Sequence, residues 1–185
     1  CDPSTFIENY VGGSGKMEAL DEILENGLEE GHRILIFSQF TGVLKNISKR
    51  LEANGIKYMY LDGSTKAQKR IEMVKTFNEG DTEVFLISLK AGGMGINLTG
   101  ADMVIHFDPW WNPAVEAQAT DRAHRIGQKK TVEVIKLIAR GTIEEKIFKL
   151  QQKKKQIIES VINDETGAEL FLSQMNQNEI EDLFV

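Results

Sequence analysis

The chain has one cysteine, three prolines and no long apolar run. A single thiol, Cys1, permits no internal disulfide, so a buried core rather than a cross-linked scaffold has to hold the fold. So little proline excludes a proline-rich linker or a fibrous chain. No apolar stretch approaches the roughly 20 residues that span a bilayer, and the N-terminus lacks the basic-then-apolar order of a secretory leader. No membrane association is expected; the expected compartment is the cytoplasm, on the nucleoid, for a bacterial source and the nucleus for a eukaryotic one. His32, His106 and His124 stand without Cys or His partners at ligand spacing, so no metal site is expected.

What is present is the composition of a globular protein, 41% apolar and 27% charged over 185 residues, enough for one domain with or without a helical appendage. The net charge of −6 argues against a nucleic-acid partner until its distribution is seen. Residues 1–32 carry 1 basic and 8 acidic side chains, residues 33–155 carry 21 and 13, and residues 156–185 carry 0 and 7. An acidic head and tail flank a basic middle, which is compatible with a phosphate-facing surface.

Short β-branched runs alternate with amphipathic stretches. Arg33–Ser38, Tyr58–Leu61, Glu83–Ser88, Met103–Asp108 and Glu133–Ala139 read as strands. Lys16–Glu30, Gly42–Asn54, Lys66–Asn78 and Thr142–Asn163 read as helices, the last roughly 33 Å long at 1.5 Å per residue. The alternation predicts an α/β fold, a doubly wound parallel sheet of about five strands covered on both faces. The final segment, Ala168–Val185, is acidic with a scattered apolar set.

In such sheets ligands gather outside the carboxyl ends of the strands. Gln39 follows the first strand, Asp62-Gly63-Ser64-Thr65 the second, Ser88–Asn97 with Lys90, Gly93 and Gly95 the third, and Asp108–Pro113 with Trp110 and Trp111 the fourth. The glycine-rich segment is not a dinucleotide fingerprint, because Leu98 stands where the third glycine is needed. It reads either as a tight connection or as amides exposed to a phosphate or ribose. Gly15-Lys16 is not a phosphate-binding loop: Met17 replaces the magnesium-binding hydroxyl and Tyr10 the first glycine. It reads as a helix start. Ser64 or Thr65 is expected to cap the following helix, with Lys66, Lys69 and Arg70 adding charge, either for capping alone or to seat a nucleic-acid phosphate. Asn112 reads as an N-cap with Pro113 at the first helical position. The two indoles beside it serve as packing or as an exposed contact.

On a continuous helix, Gln118, Arg122 and Arg125 fall on one narrow stripe while His124 points elsewhere. Paired guanidiniums there either form surface ion pairs or stabilise charge on a transferring phosphoryl group.

The ordered set Ile34–Phe40, Leu61–Thr65, Leu89–Asn97, Asp108–Pro113 and Gln118–Gln128 resembles the second lobe of the SWI/SNF class of superfamily-two helicase-like translocases, over about residues 14–163. The resemblance implies a RecA-like lobe (1–140) followed by a long C-terminal brace helix and short helical tail (141–185). It implies Arg122 and Arg125 as arginine fingers with Gln118, and Gly93, Gly95 and Asn97 near the nucleotide. Gln39, Gly63, Ser64, Thr65, Ser88, Lys90 and Trp110 or Trp111 are implied at double-stranded DNA. ATP and Mg2+ are implied as ligands held mainly by a first lobe, whose phosphate-binding loop and Asp-Glu box are not in this sequence. Cys1-Asp2-Pro3 resembles the family's segment just after the inter-lobe region, so the chain is expected to be part of a larger protein and to hydrolyse no ATP alone. Two other readings are a catalytically silent module whose acidic ends dock protein partners, and an RNA helicase lobe.

Overall fold

The computed structural model describes residue 5 and residues 12–92, 95–125, 127–128 and 130–163, with the backbone alone over 157–163. Five parallel strands form one sheet in the order β2-β3-β1-β4-β5. They are β1 Ile34–Ser38, β2 Tyr58–Leu61, β3 Val84–Ser88, β4 Met103–His106 and β5 Glu133–Lys136. The helices are α1 Gly15–Glu29, α2 Thr41–Ala53, α3 Ala67–Glu79, the short α4 Leu89–Gly92, α5 Pro113–Thr120 and α6 Ile143–Asn163.

Side chains of a strand alternate between faces, and this alternation sorts the core into two halves. Ile34, Ile36, Val84, Leu86, Met103 and Ile105 point to one face, where Met17, Leu20 and Leu24 of α1 and Val43, Leu44, Ile47 and Leu51 of α2 cover them. Leu35, Phe37, Phe85, Ile87 and Val104 point to the other, beneath Phe77 of α3, Leu89 and Ala91 of α4 and Ala119 of α5. Both faces are thus helix-covered, as continuous apolar strands require.

The strand expectations hold in place and order, with the first and third beginning one residue later and the last two ending early. β4 stops at His106, although Phe107 N–H still reaches the Phe37 carbonyl at 2.9 Å. Edge strand β5 has only β4 as a neighbour; its last bond, Leu137 N–H to His106 O at 2.9 Å, falls where β4 ends. The acidic tail and Cys1-Asp2-Pro3 lie outside the described residues.

Gly15-Lys16 opens a helix, as its sequence requires. Ser14 is the N-cap of α1, and Lys16 turns inward to pair with Glu144 at 2.7 Å. The ammonium lies 4.7 Å from the Phe107 ring centroid, so the start of α1 is fastened to the start of α6.

Candidate nucleic-acid and nucleotide faces

The carboxyl edge is cross-tied by Asp108, which is fully buried at the end of β4. The Ser38 hydroxyl donates to one carboxylate oxygen, and Gln39 N–H donates to the other at 2.9 Å. Burial pushes this carboxyl above its ordinary range despite those donors. Gln39 Nε2 donates to the Pro109 carbonyl at 3.2 Å, which fixes Gln39 beside the loop after β4.

The loop after β2 is held differently from its sequence expectation. Lys66, not Ser64 or Thr65, is the N-cap of α3, and no side chain caps that helix. Ser64 and Thr65 instead close a turn upon Asp62. The Ser64 amide and hydroxyl donate to Asp62 Oδ1 at 2.9 and 2.6 Å, and Thr65 N–H donates to the Asp62 carbonyl at 3.2 Å. The hydroxyl bond is foremost in drawing the Asp62 carboxyl below its ordinary value. Arg70 is buried rather than a surface charge, donating Nε to Thr65 O at 2.6 Å and Nη2 to Gly63 O at 3.3 Å. Asp62 engages both hydroxyls that could have capped the helix, its Oδ1 accepting from the Ser64 hydroxyl and its N–H donating to Thr65 Oγ1 at 3.3 Å. Gly63, Ser64, Lys66 and Lys69 remain exposed.

Ser88, at the end of β3, is buried, and Lys90 two residues on is exposed. In the loop after β4, Trp110 packs on the second core cluster while Trp111 is 46% exposed. Their centroids are 6.2 Å apart, and Lys154 of α6 sits 5.4 Å above the Trp111 ring. Asn112 caps α5 by accepting from Ala114 N–H at 3.0 Å, with Pro113 next, as its local chemistry dictates.

The arginine segment lies at the far end of α5, about 12 Å from the tryptophans for eight residues at 1.5 Å each. The helix ends at Thr120, so the single stripe expected for Gln118, Arg122 and Arg125 does not form. Bonding tightens into turns instead, Arg122 N–H reaching Ala119 O at 3.2 Å and Ala123 N–H reaching Thr120 O at 3.0 Å. Gln118 and Arg125 are exposed, whereas Arg122 is 2% exposed. Among the described residues nothing accepts a hydrogen bond from Arg122 Nε. Burial, and then the neighbouring Arg125 charge, lower the Arg122 pKa against the opposing pull of Asp121. Two mutually repelling guanidiniums, one with a desolvated open donor, make a site with a deficit of anion.

The glycine-rich connection reaches this turn. Leu98 N–H donates to the Arg122 carbonyl at 2.8 Å, bringing exposed Gly95 and Asn97 alongside. Gly95 has φ +67°, a left-handed conformation that suits glycine. Gly93 lies outside the described residues. Gln128 clamps the foot of the segment, its Nε2 donating to Ala101 O at 2.7 Å. Of the residues picked from sequence, Gln39, Gly63–Thr65, Lys90 and Trp111 stand at the strand-end edge, while the buried Arg122 lies in the turn after α5, tied to the glycine-rich connection at Leu98, with exposed Arg125 three residues on. Sequence reasoning missed Glu116, Gln151 and the inward role of Arg70. A carboxylate in a first helical turn reads as an ordinary partner of the helix dipole, and nothing local marks Glu116 out.

A two-faced parallel sheet with such an arginine turn is the architecture of a helicase-type motor lobe. Over residues 15–127 the chain matches the family described as helicase conserved C-terminal domain. It is 42% identical over its whole length to an ATP-dependent helicase of Mycoplasma pneumoniae, of which it spans 18%. It is 47% identical over 157 residues, 84% of its length, to the human chromatin-remodelling ATPase INO80, of which it spans 10%. The crystal structure of the C-terminal part of the Fun30 ATPase domain superposes with TM-score 0.72 at 44% identity, covering 75% of this chain and 45% of that one. The chain belongs to the helicase C-terminal domain family, and within it is similar to the C-terminal lobes of SWI/SNF-type proteins. It spans less than a fifth of the length of these curated relatives.

Proposed function

We propose that this chain is the second motor lobe of an ATP-driven double-stranded DNA translocase, in which Arg122 and Arg125 complete a nucleotide site shared with a first lobe. The observation that carries this reading is the buried Arg122 Nε, which has no acceptor among the described residues, beside Arg125. A γ-phosphate supplies such an acceptor, and charge spreading over its oxygens during transfer is what a guanidinium pair stabilises. Gln118, Gly95 and Asn97 line the approach. Among the described residues no three His, Cys, Asp or Glu side chains converge; Mg2+ is assigned to the nucleotide phosphates and the first lobe. Duplex DNA is assigned to Gln39, Gly63, Ser64, Thr65, Lys90 and Trp111, with Ser88 and Trp110 supporting them from beneath. The protein partner is that first lobe, with α6 as the brace between the two. Within this division of labour, residues 1–140 form the lobe and 141–185 the brace and tail.

The test is ATP hydrolysis by a two-lobe protein containing this chain, with duplex DNA, single strands and RNA as activators. Duplex DNA is expected to stimulate most, and Arg125→Ala to lower kcat by about 10³-fold or more. Stimulation by RNA or single strands alone would contradict the reading, as would appreciable hydrolysis by the isolated chain that Arg125→Ala abolishes.

A further inference from the structure

The geometry points to Glu116 as a positioning residue that ties the tryptophan loop and α6 to the arginine turn, so that DNA seated at one end of α5 sets the guanidiniums at the other. This rests on the motor reading above. Glu116 is 1% exposed, in the first turn of α5. Its Oε1 accepts from Trp110 N–H and from Gln151 Nε2, each at 2.6 Å, and its Oε2 accepts from Lys136 Nζ at 2.5 Å. Gln151, itself 2% exposed, also donates to the Trp110 carbonyl, and three residues on Lys154 covers Trp111.

A carboxylate that only complemented the helix dipole would need no burial. This one is desolvated and held by charge-assisted bonds from three separate elements, the loop, β5 and α6. Eight residues of α5 form a rod too short to absorb a displacement by bending, so movement of its first turn is delivered to the turn that follows Thr120. There the Arg122 Nε has no bond among the described residues to resist reorientation. Hydrogen bonds join the tryptophan loop, β5 and α6 to Glu116, and the backbone of α5 runs on from it to the turn where Arg122 N–H reaches Ala119 O.

Glu116→Gln keeps the volume but sets an amide where the Lys136 ammonium needs an acceptor. In the two-lobe protein it is expected to lower DNA-stimulated kcat about tenfold while the KM for ATP changes less than about twofold. With DNA saturating, adding Trp111→Ala to Glu116→Gln is expected to lower kcat no further, because both act on it through one loop. If Glu116→Gln does not fold, Gln151→Leu, which frees α6 and leaves the Glu116–Lys136 pair, decides the matter with an expected loss of about threefold. Arg125→Ala is run alongside. Hydrolysis surviving Arg125→Ala would sink the motor reading itself. Hydrolysis lost there but unchanged in folded Glu116→Gln or Gln151→Leu, or losses that simply multiply with Trp111→Ala, would overturn only the role of Glu116.

Discussion

Two inward-turned arginines separate what holds this lobe together from what it offers to a ligand. Arg33, just before β1, has both Nε and Nη2 engaged, Nε to Thr82 O at 3.1 Å and Nη2 to Phe77 O, with the guanidinium 4.4 Å from the Phe77 ring centroid. Its backbone N–H donates to Asp102 at 2.9 Å, and Asp102 also takes Lys130 at 2.5 Å and lies 3.3 Å from His32. Arg122 has no such company at Nε among the described residues. The same side chain is a cross-link in one place and a held-open donor in the other, and residue type alone does not distinguish them.

The largest expected effect that breaks this comparison is on stability. Arg33→Leu strands the Phe77 and Thr82 carbonyls and is expected to destabilise by on the order of 3 kcal/mol. Arg122→Leu removes a guanidinium whose buried Nε has no acceptor among the described residues and is expected to leave stability within about 0.5 kcal/mol or to raise it. Denaturant unfolding of the two variants checks both. A comparable effect comes from His106, which donates or accepts at Thr120 Oγ1 at 3.0 Å and stacks on Phe37. Burial lowers its pKa from 6.5 to about 4, with Glu116 opposing and Lys136 reinforcing the shift. Between those values the unfolded chain binds a proton that the folded chain refuses, so stability falls as pH drops from 6.5 towards about 4, by on the order of 2–3 kcal/mol. Urea midpoints across that range, compared with His106→Phe, measure it; equal pH slopes would contradict the account.

Packing around Arg33 gives the next effect. A Cβ on Gly100 would lie 2.9 Å from both Arg33 Nη1 and the Asn78 Cα, one of them backbone that cannot step aside. Gly100→Ala is therefore expected to cost about 2 kcal/mol in thermal or chemical unfolding, whereas Gly95→Ala meets no atom of the described residues within 4 Å and carries the strain of φ +67°. Smallest is Lys90→Ala, which should weaken DNA binding by the lobe by under about 1 kcal/mol and flatten an already shallow salt dependence. A salt-independent interaction would count against the strand-end surface.

The fold was legible where the chemistry is local or periodic. Ile34–Ser38 and Val84–Ser88 announce buried strands because every residue is apolar or small, and Asn112-Pro113 announces a helix start because cap and constrained φ are neighbours. Legibility failed where one turn residue outcompeted another. Ser64 and Thr65 looked like caps, but Asp62 two and three residues before them engaged their hydroxyls. It failed also for the helical stripe, since nothing in Gln118–Arg125 marks the tightening after Thr120. Glu116 was illegible for a different reason: its partners lie 6, 20 and 35 residues away, and only the fold brings them together. The arginine face was readable through its resemblance to a known motor lobe; that Arg122 is buried and Arg125 exposed was not.

The most direct measurement is the kcat for DNA-stimulated ATP hydrolysis of Arg122→Leu in the two-lobe protein, taken with the unfolding free energy of the same sample. The expected result is a kcat lower by about 10³-fold or more with stability within about 0.5 kcal/mol of the parent. A variant that unfolds readily, as is expected of Arg33→Leu, while each folded molecule still hydrolyses ATP at the parent rate would show Arg122 to be a cross-link and not an open donor.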